Sequence, residues 1–209
     1  MIDPELVKQE SIKLIRSWGL PVIDHLPTLE TEDELSPQSA EDVSRRCVII
    51  RHVVGIGFGG NTKMLRDAVE RFGLMTSASE HERDMLTRYD HTEEEKIDAQ
   101  WLVECMQSLA WCLGLAPLEH FKDCDDDLGS KFPDPLSEPF DFIASASLRP
   151  FVEIYQQADI HYRLHWAARN ARLSASEFPV RERFLRERRR ALDWVIGVEA
   201  DWDNVPSDT

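Results

Sequence analysis

Apolar residues recur at three- and four-residue spacings through most of this chain, the period of amphipathic helices. Pro4 suits a first helical turn, and Leu6, Ile12, Leu14, Ile15 and Trp18 supply apolar positions before Gly19 stops the helix. Between residues 19 and 36 the segments GLP, HLP and ELSP carry turn chemistry and predict an irregular connection. A helix then starts between Ser36 and Ser39 and runs on Val43, Cys47, Ile50 and Val54. Another covers about Thr62 to Arg71. Ser77 with Glu80, and Thr92 with Glu95, read as capping boxes. The second opens a long helix with Ile97, Trp101, Cys105, Leu109 and Cys112 on one face. Residues 114–148 contain Pro117, Pro133, Pro135, Pro139 and the run Asp125, Asp126 and Asp127, which predict a long loop with at most one short helix. Pro150 opens a helix to about Leu173, and Pro179 opens another to about Ile196. No stretch reads convincingly as a strand. The pattern predicts an all-α chain, a single domain over 1–209, with roughly seven or eight helices.

Length and composition leave that picture unchanged: 209 residues suit one domain, and 42% hydrophobic with 30% charged residues is ordinary for a globular protein. Charge changes it. The net charge is -15, whereas nucleic-acid binders carry a basic footprint, so that class of partner is excluded. Acidity of this size steers a protein toward basic partners. The four cysteines form no C-x-x-C pair, and Cys105 and Cys112 share an apolar helix face as small hydrophobes. The N-terminus MIDPELVKQE is polar and acidic, unlike a signal peptide, and no apolar run approaches membrane-spanning length. The expectation is a reduced, cytoplasmic protein with no membrane span.

Two motifs invite chemistry that their context refuses. GIGFGG places Gly55, Gly57 and Gly60 at the spacing of a dinucleotide fingerprint. The segment before it reads as a helix rather than a strand, and the chain lacks alternating strand–helix units. The glycines are expected to end a helix where the backbone needs positive φ. His161 and His165 stand at metal-ligand spacing on one helix, but Tyr162 occupies the place of the glutamate in a zinc-protease motif, and nothing nominates a third ligand. No cofactor and no metal are expected.

Candidate chemistry concentrates near the C-terminus. Residues 149–190 carry ten Arg against five Asp or Glu, and the acidic end that follows suggests a segment folded back onto a basic block. Tyr162, Trp166 and Arg169 recur along one helix, with His165, Arg169 and Arg172 on an adjacent flank. On the next helix Arg183, Glu187, Arg190 and Trp194 align, as do Phe184, Arg188, Leu192 and Val195. Arg188, Arg189 and Arg190 are consecutive, so at least one points inward and requires a carboxylate. Trp166, Trp194 and Trp202 offer flat walls for guanidinium stacking. Asp203 and Asp208 are the expected carboxylates of a docked C-terminal segment, with Arg169 and Arg188 as first partners and the Thr209 carboxylate joining them. The candidate network is therefore Tyr162, His165, Trp166, Arg169, Arg172, Glu187, Arg188, Trp194, Trp202, Asp203 and Asp208, serving either as a structural lock or as a ligand site.

The segments GLPVIDHLP, EDVSRRCVII, SASEHERDML, YRLHWAAR, ERRRALDW and WDNVPSDT together resemble a bacterial family known as domain of unknown function 4272. The similarity runs from about residue 16 to Thr209 and is most specific in the last fifty residues. The family pattern reads A-L-N-W where this chain has Asp193. That resemblance implies one domain and a C-terminal site, and it carries no catalytic role. Two functions stay open. One is a non-enzymatic, immunity-like or regulatory interaction protein of the bacterial cytosol that binds a basic partner. The other is a small enzyme acting on an anionic or polar metabolite at the His165–Arg169–Arg188 region. Oligomeric state is left open with them.

Overall fold

A computed structural model of the chain describes residues 2–206. It is all-helical, with eight α-helices and no strand among the described residues. The chain gathers into two compact units. One comprises the N-terminal stretch to Gln38, Arg149–Ala200 and the described residues from Asn204. The other comprises Ser39–Leu148 with Asp201–Asp203.

The first unit is built from α1 (Pro4–Ser17), α7 (Phe151–Leu173) and α8 (Glu182–Ile196). Asp3 caps α1 by accepting from the backbone of Glu5 and Leu6, and Pro4 fills the first turn as its chemistry favours. α7 is buried on nearly every side, by Ile154, Tyr155, Ile160 and Leu164 and by the small residues Ala167, Ala168 and Ala171. α8 ends at Gly197, whose φ of +85° is the left-handed conformation of a helix C-terminus. A Cβ at Gly197 would fall 2.1 Å from the carbonyl oxygen of Ser36, so this turn needs glycine twice over.

That close approach reflects how the irregular connection before Ser39 is held. Ser36 N–H donates to Gly197 O and Gln38 N–H to Val195 O, at 3.3 and 3.0 Å. Tyr155 Oη donates to Glu30 O at 2.8 Å and Arg163 Nη2 to Pro27 O at 3.2 Å. Arg163 and Asp159 form a buried ion pair on α7, with Nη2 and Nε donating to the two carboxylate oxygens at 2.7 and 2.9 Å.

The second unit surrounds α2 (Ala40–Gly57), whose Val43, Cys47, Ile49, Ile50 and Val53 are fully buried. α3 (Thr62–Arg71), α4 (Glu80–Thr87), α5 (Glu93–Cys112) and α6 (Phe140–Ala144) pack around it. The glycine cluster ends α2 as expected: Phe58 caps the helix and Gly59 has φ +86°. Gly57 has a packing role, because a Cβ there would meet Ala99 and the Lys96 carbonyl of α5 at 2.9 Å.

One expected capping box is displaced. α4 is capped by Ser79 with Glu82, not by Ser77 with Glu80; Met75–Ser77 is a separate 3-10 turn. Both pairs satisfy the S-x-x-E pattern, and the choice falls to Glu82 because its carboxylate also pairs with Arg46 of α2. The Thr92–Glu95 box opens α5 as read. The long stretch after α5 contains only the 3-10 turn Leu128–Lys131 and the short α6. It is nevertheless anchored, by Gln107 Nε2 donating to Pro117 O and Arg51 to Phe132 O, both at 2.7 Å, and by His52 Nε2 lying 2.8 Å from Pro135 O.

The described C-terminal residues are docked through Trp202. Trp202 begins a short 3-10 turn and is 2% exposed, with the Arg46 guanidinium 5.2 Å from its ring centroid. No helix among the described residues is long and apolar enough to cross a membrane.

Candidate functional site

The site lies in the first unit, where α7 ends and α8 begins. Helix α7 stops at Leu173, and eight residues with one positive-φ position, Ala175, carry the chain to Glu182. This connection leaves an open cleft of about 610 Å³. Ala168 and Arg172 of α7 form one wall; Ser176, Phe178, Val180 and Arg181 form the rim; Glu182, Arg183 and Arg186 of α8 form the other wall. Four guanidinium groups thus meet one carboxylate in a cleft with apolar patches. Arg181 occupies the N-cap of α8, and its side chain makes no capping bond. The positive end of the helix macrodipole adds to the cationic character there.

Glu182 bridges the cleft and the protein interior. Its Oε2 accepts from Arg172 Nε, while its Oε1 lies 3.8 Å from His165 Nε2. His165 is fully buried. Its Nδ1 lies 3.3 Å from Arg189 Nη1. A guanidinium only donates, so Nδ1 accepts and the neutral ring carries its proton on Nε2. Burial, and then the charges of Arg189, Arg186 and Arg169, push the His165 pKa down to about 3. The ring is therefore neutral near pH 7, and its Nε2–H is a buried donor with no hydrogen-bond partner.

A layer of ion pairs supports the cleft walls from behind. Arg189 donates through Nε to Asp193 Oδ2 at 2.9 Å, and its guanidinium lies 4.7 Å from the centroid of the Tyr162 ring. Burial raises the Asp193 pKa to about 6, with Arg189 offsetting part of the effect. Burial also raises the Tyr162 hydroxyl, again against Arg189. Glu187, itself buried, gathers Arg186 at 2.7 Å, Arg183 at 3.8 Å and Arg190 at 3.9 Å. Arg188 is buried with its guanidinium 4.0 Å from the Phe184 ring centroid.

The sequence-predicted residues divide into three groups. Arg172 lines the cleft, and His165, Glu187 and Tyr162 belong to its supporting layer. Arg188 stacks on Phe184 as described, Trp166 lies 5.9 Å from Arg169, and Trp194 Nε1 donates to Ala200 O at 3.1 Å. Trp202 and Asp203 are part of the second unit, where Asp203 accepts from the backbone N–H of His81 at 2.9 Å. Asp208 and Thr209 lie outside the described residues. Arg181, Glu182 and Arg186 were not among the predicted residues, nor was Phe178. Their signal is present in the sequence: Arg181 and Arg183 stand at the start of a helix, where the macrodipole disfavours cations. Basic residues placed against that preference mark another use. Among the described residues no group of three His, Cys, Asp or Glu is arranged to hold a metal ion.

Residues 7–205 match the model of the family described as Domain of unknown function (DUF4272), and the chain belongs to that family. No curated protein and no solved structure matches the chain.

Proposed function

We propose that this DUF4272 protein is a non-enzymatic binding protein that captures an anionic ligand in the cleft between α7 and α8. The observation that carries this reading is the meeting of Arg172, Arg181, Arg183 and Arg186 around about 610 Å³ in a chain whose net charge is -15. Solvated arginines on an acidic protein are expected to sit beside carboxylates. Here Arg172, Arg183 and Arg186 do pair with Glu182 or Glu187, yet with Arg181 they also line one concavity of ordinary ligand size. Guanidinium groups are planar, always charged and suited to bidentate contact with oxyanions.

Binding is favoured over catalysis by the state of His165. An imidazole with a pKa of about 3 is a poor proton acceptor near neutrality and has no proton to lend as an acid. It serves as a fixed hydrogen-bond donor. A thermal-shift panel of inorganic phosphate, phenyl phosphate, benzoate, citrate and a matched neutral sugar tests the reading. Saturable stabilisation by the anions and none by the sugar supports it; no anion raising Tm at millimolar concentration overturns it.

A second reading is favoured by the charge of -15: a basic protein docks on the acidic exterior, and the protein is regulatory or immunity-like. It requires no occupant in the arginine cleft. A basic partner would bind with strong salt dependence and leave Arg172 and Arg181 dispensable.

A further inference from the structure

We propose that Glu182 is the cleft's own stand-in for its ligand, and that the ligand is a small phosphate monoester whose dianion displaces this carboxylate from Arg172 and accepts a hydrogen bond from His165 Nε2–H. This inference rests on the anion-binding reading and specifies both the ligand class and the residue that competes with it.

His165 is fully buried, and its Nε2 has no hydrogen-bond partner. Leaving such a donor unsatisfied costs about 1–3 kcal/mol, so an acceptor that reaches it is favoured by that amount. The nearest acceptor is Glu182 Oε1 at 3.8 Å, beyond hydrogen-bonding reach. Glu182 is held there by Arg172 on its other oxygen. An anion seated between Arg172 and His165 brings the missing acceptor.

Four guanidinium groups, of Arg172, Arg181, Arg183 and Arg186, line the cleft with one carboxylate, Glu182, among its lining residues. Guanidinium groups match phosphate oxygens bidentately, and a phosphate monoester carries about -1.5 to -2 near pH 7, more charge than a single carboxylate brings. Arg181 supplies a guanidinium at the uncapped start of α8, a position that favours an anion when other donors converge there. Phe178, Val180 and Ala168 give the ester's organic part an apolar wall.

Displacement follows from the same geometry. Glu182 and the incoming dianion are like charges competing for Arg172, so removing the Glu182 charge removes both the competition and the repulsion. The experiment titrates phenyl phosphate into the wild type and Glu182→Gln by calorimetry, and follows the His165 ring by 1H–15N correlation spectroscopy. Glu182 is partly exposed, and a melting curve matching the wild type checks that the variant folds. The expected results are about tenfold tighter binding by Glu182→Gln, and a downfield move of the His165 Nε2–H resonance in the wild type on saturation. Phenyl phosphate bound by the wild type with no tightening in Glu182→Gln, or with an unmoved His165 resonance, overturns the stand-in and leaves anion binding intact. Benzoate bound as tightly as phenyl phosphate overturns the phosphate assignment. A phosphoserine peptide bound far more tightly than phenyl phosphate overturns the small-molecule assignment. Failure of phenyl phosphate, benzoate and inorganic phosphate to bind either protein overturns this inference and the function it rests on together.

Discussion

Arg189 and Asp193 stand one helical turn apart on α8, both buried, with Nε donating to Oδ2 at 2.9 Å. The pair holds Arg189 against the Tyr162 ring and so fixes the nitrogen to which His165 Nδ1 is attached. Burial outweighs the arginine and holds the Asp193 pKa at about 6, above its ordinary 3.8. A carboxylate raised in the folded state stabilises below its unfolded pKa, and that stability is lost as pH rises through the folded value. Wild-type stability relative to Asp193→Asn is therefore expected to fall by up to about 3 kcal/mol between pH 4 and pH 6 and to level off above. Urea unfolding at half-unit pH steps checks this, and a flat difference contradicts it.

His165 has the opposite sign. Its pKa falls from 6.5 to about 3 on folding, because burial comes with the charges of Arg189, Arg186 and Arg169, while Glu182 stands 3.8 Å from its Nε2. Its contribution is present above pH 6.5 and is lost as pH falls below that value. His165→Gln is expected to show a shallower acid decline than the wild type, by up to about 1.4 kcal/mol per pH unit. The two slopes oppose each other between about pH 4 and pH 6, so single variants are needed to expose them.

Asp159 and Arg163 are buried together on α7, and Arg163 also donates to Pro27 O in the irregular N-terminal connection. Asp159→Ala strands a buried guanidinium and is expected to destabilise by about 3–5 kcal/mol. The double change Asp159→Leu with Arg163→Met should recover much of the loss. Denaturant midpoints of the two variants make the comparison.

Trp202 is buried beneath Arg46, which pairs in turn with the Glu82 of the α4 capping box. Trp202→Ala is expected to cost about 3–5 kcal/mol. Glu82→Gln should lower Tm less, because the amide oxygen still caps Ser79 N–H while the ion pair with Arg46 is lost. Calorimetric melting of both variants gives the order.

Helical periodicity makes most of the fold legible in the sequence. The starts at Pro4, Ser39, Thr62, Thr92 and Pro150 were readable because each has local chemistry that acts within one turn. The Ser79–Glu82 box was missed because Ser77–Glu80 satisfies the same local rule, and only Arg46, far away in sequence, separates the two. Pro179 favours a first turn, yet α8 begins at Glu182, and Val180 and Arg181 stay outside the helix to line the cleft. The candidate site was half legible. His165, Arg172 and Glu187 stood out by spacing, whereas Phe178, Arg181 and Glu182 acquire their role from a concavity that no periodicity encodes. Docking of Trp202 followed from its apolar ring in a polar sequence, but the identity of Arg46 as its neighbour is a tertiary fact.

The central claim is that the arginine cleft holds an anion. Calorimetric titration of phenyl phosphate into the wild type and into the double variant Arg172→Ala with Arg181→Ala tests it most directly. Arg172 and Arg181 are exposed, so their loss leaves the core intact. The account predicts saturable one-to-one binding by the wild type, weakened at least about tenfold in the double variant, with both proteins melting alike. Equal affinity in the two proteins, or no saturable heat from the wild type at millimolar ligand, contradicts it.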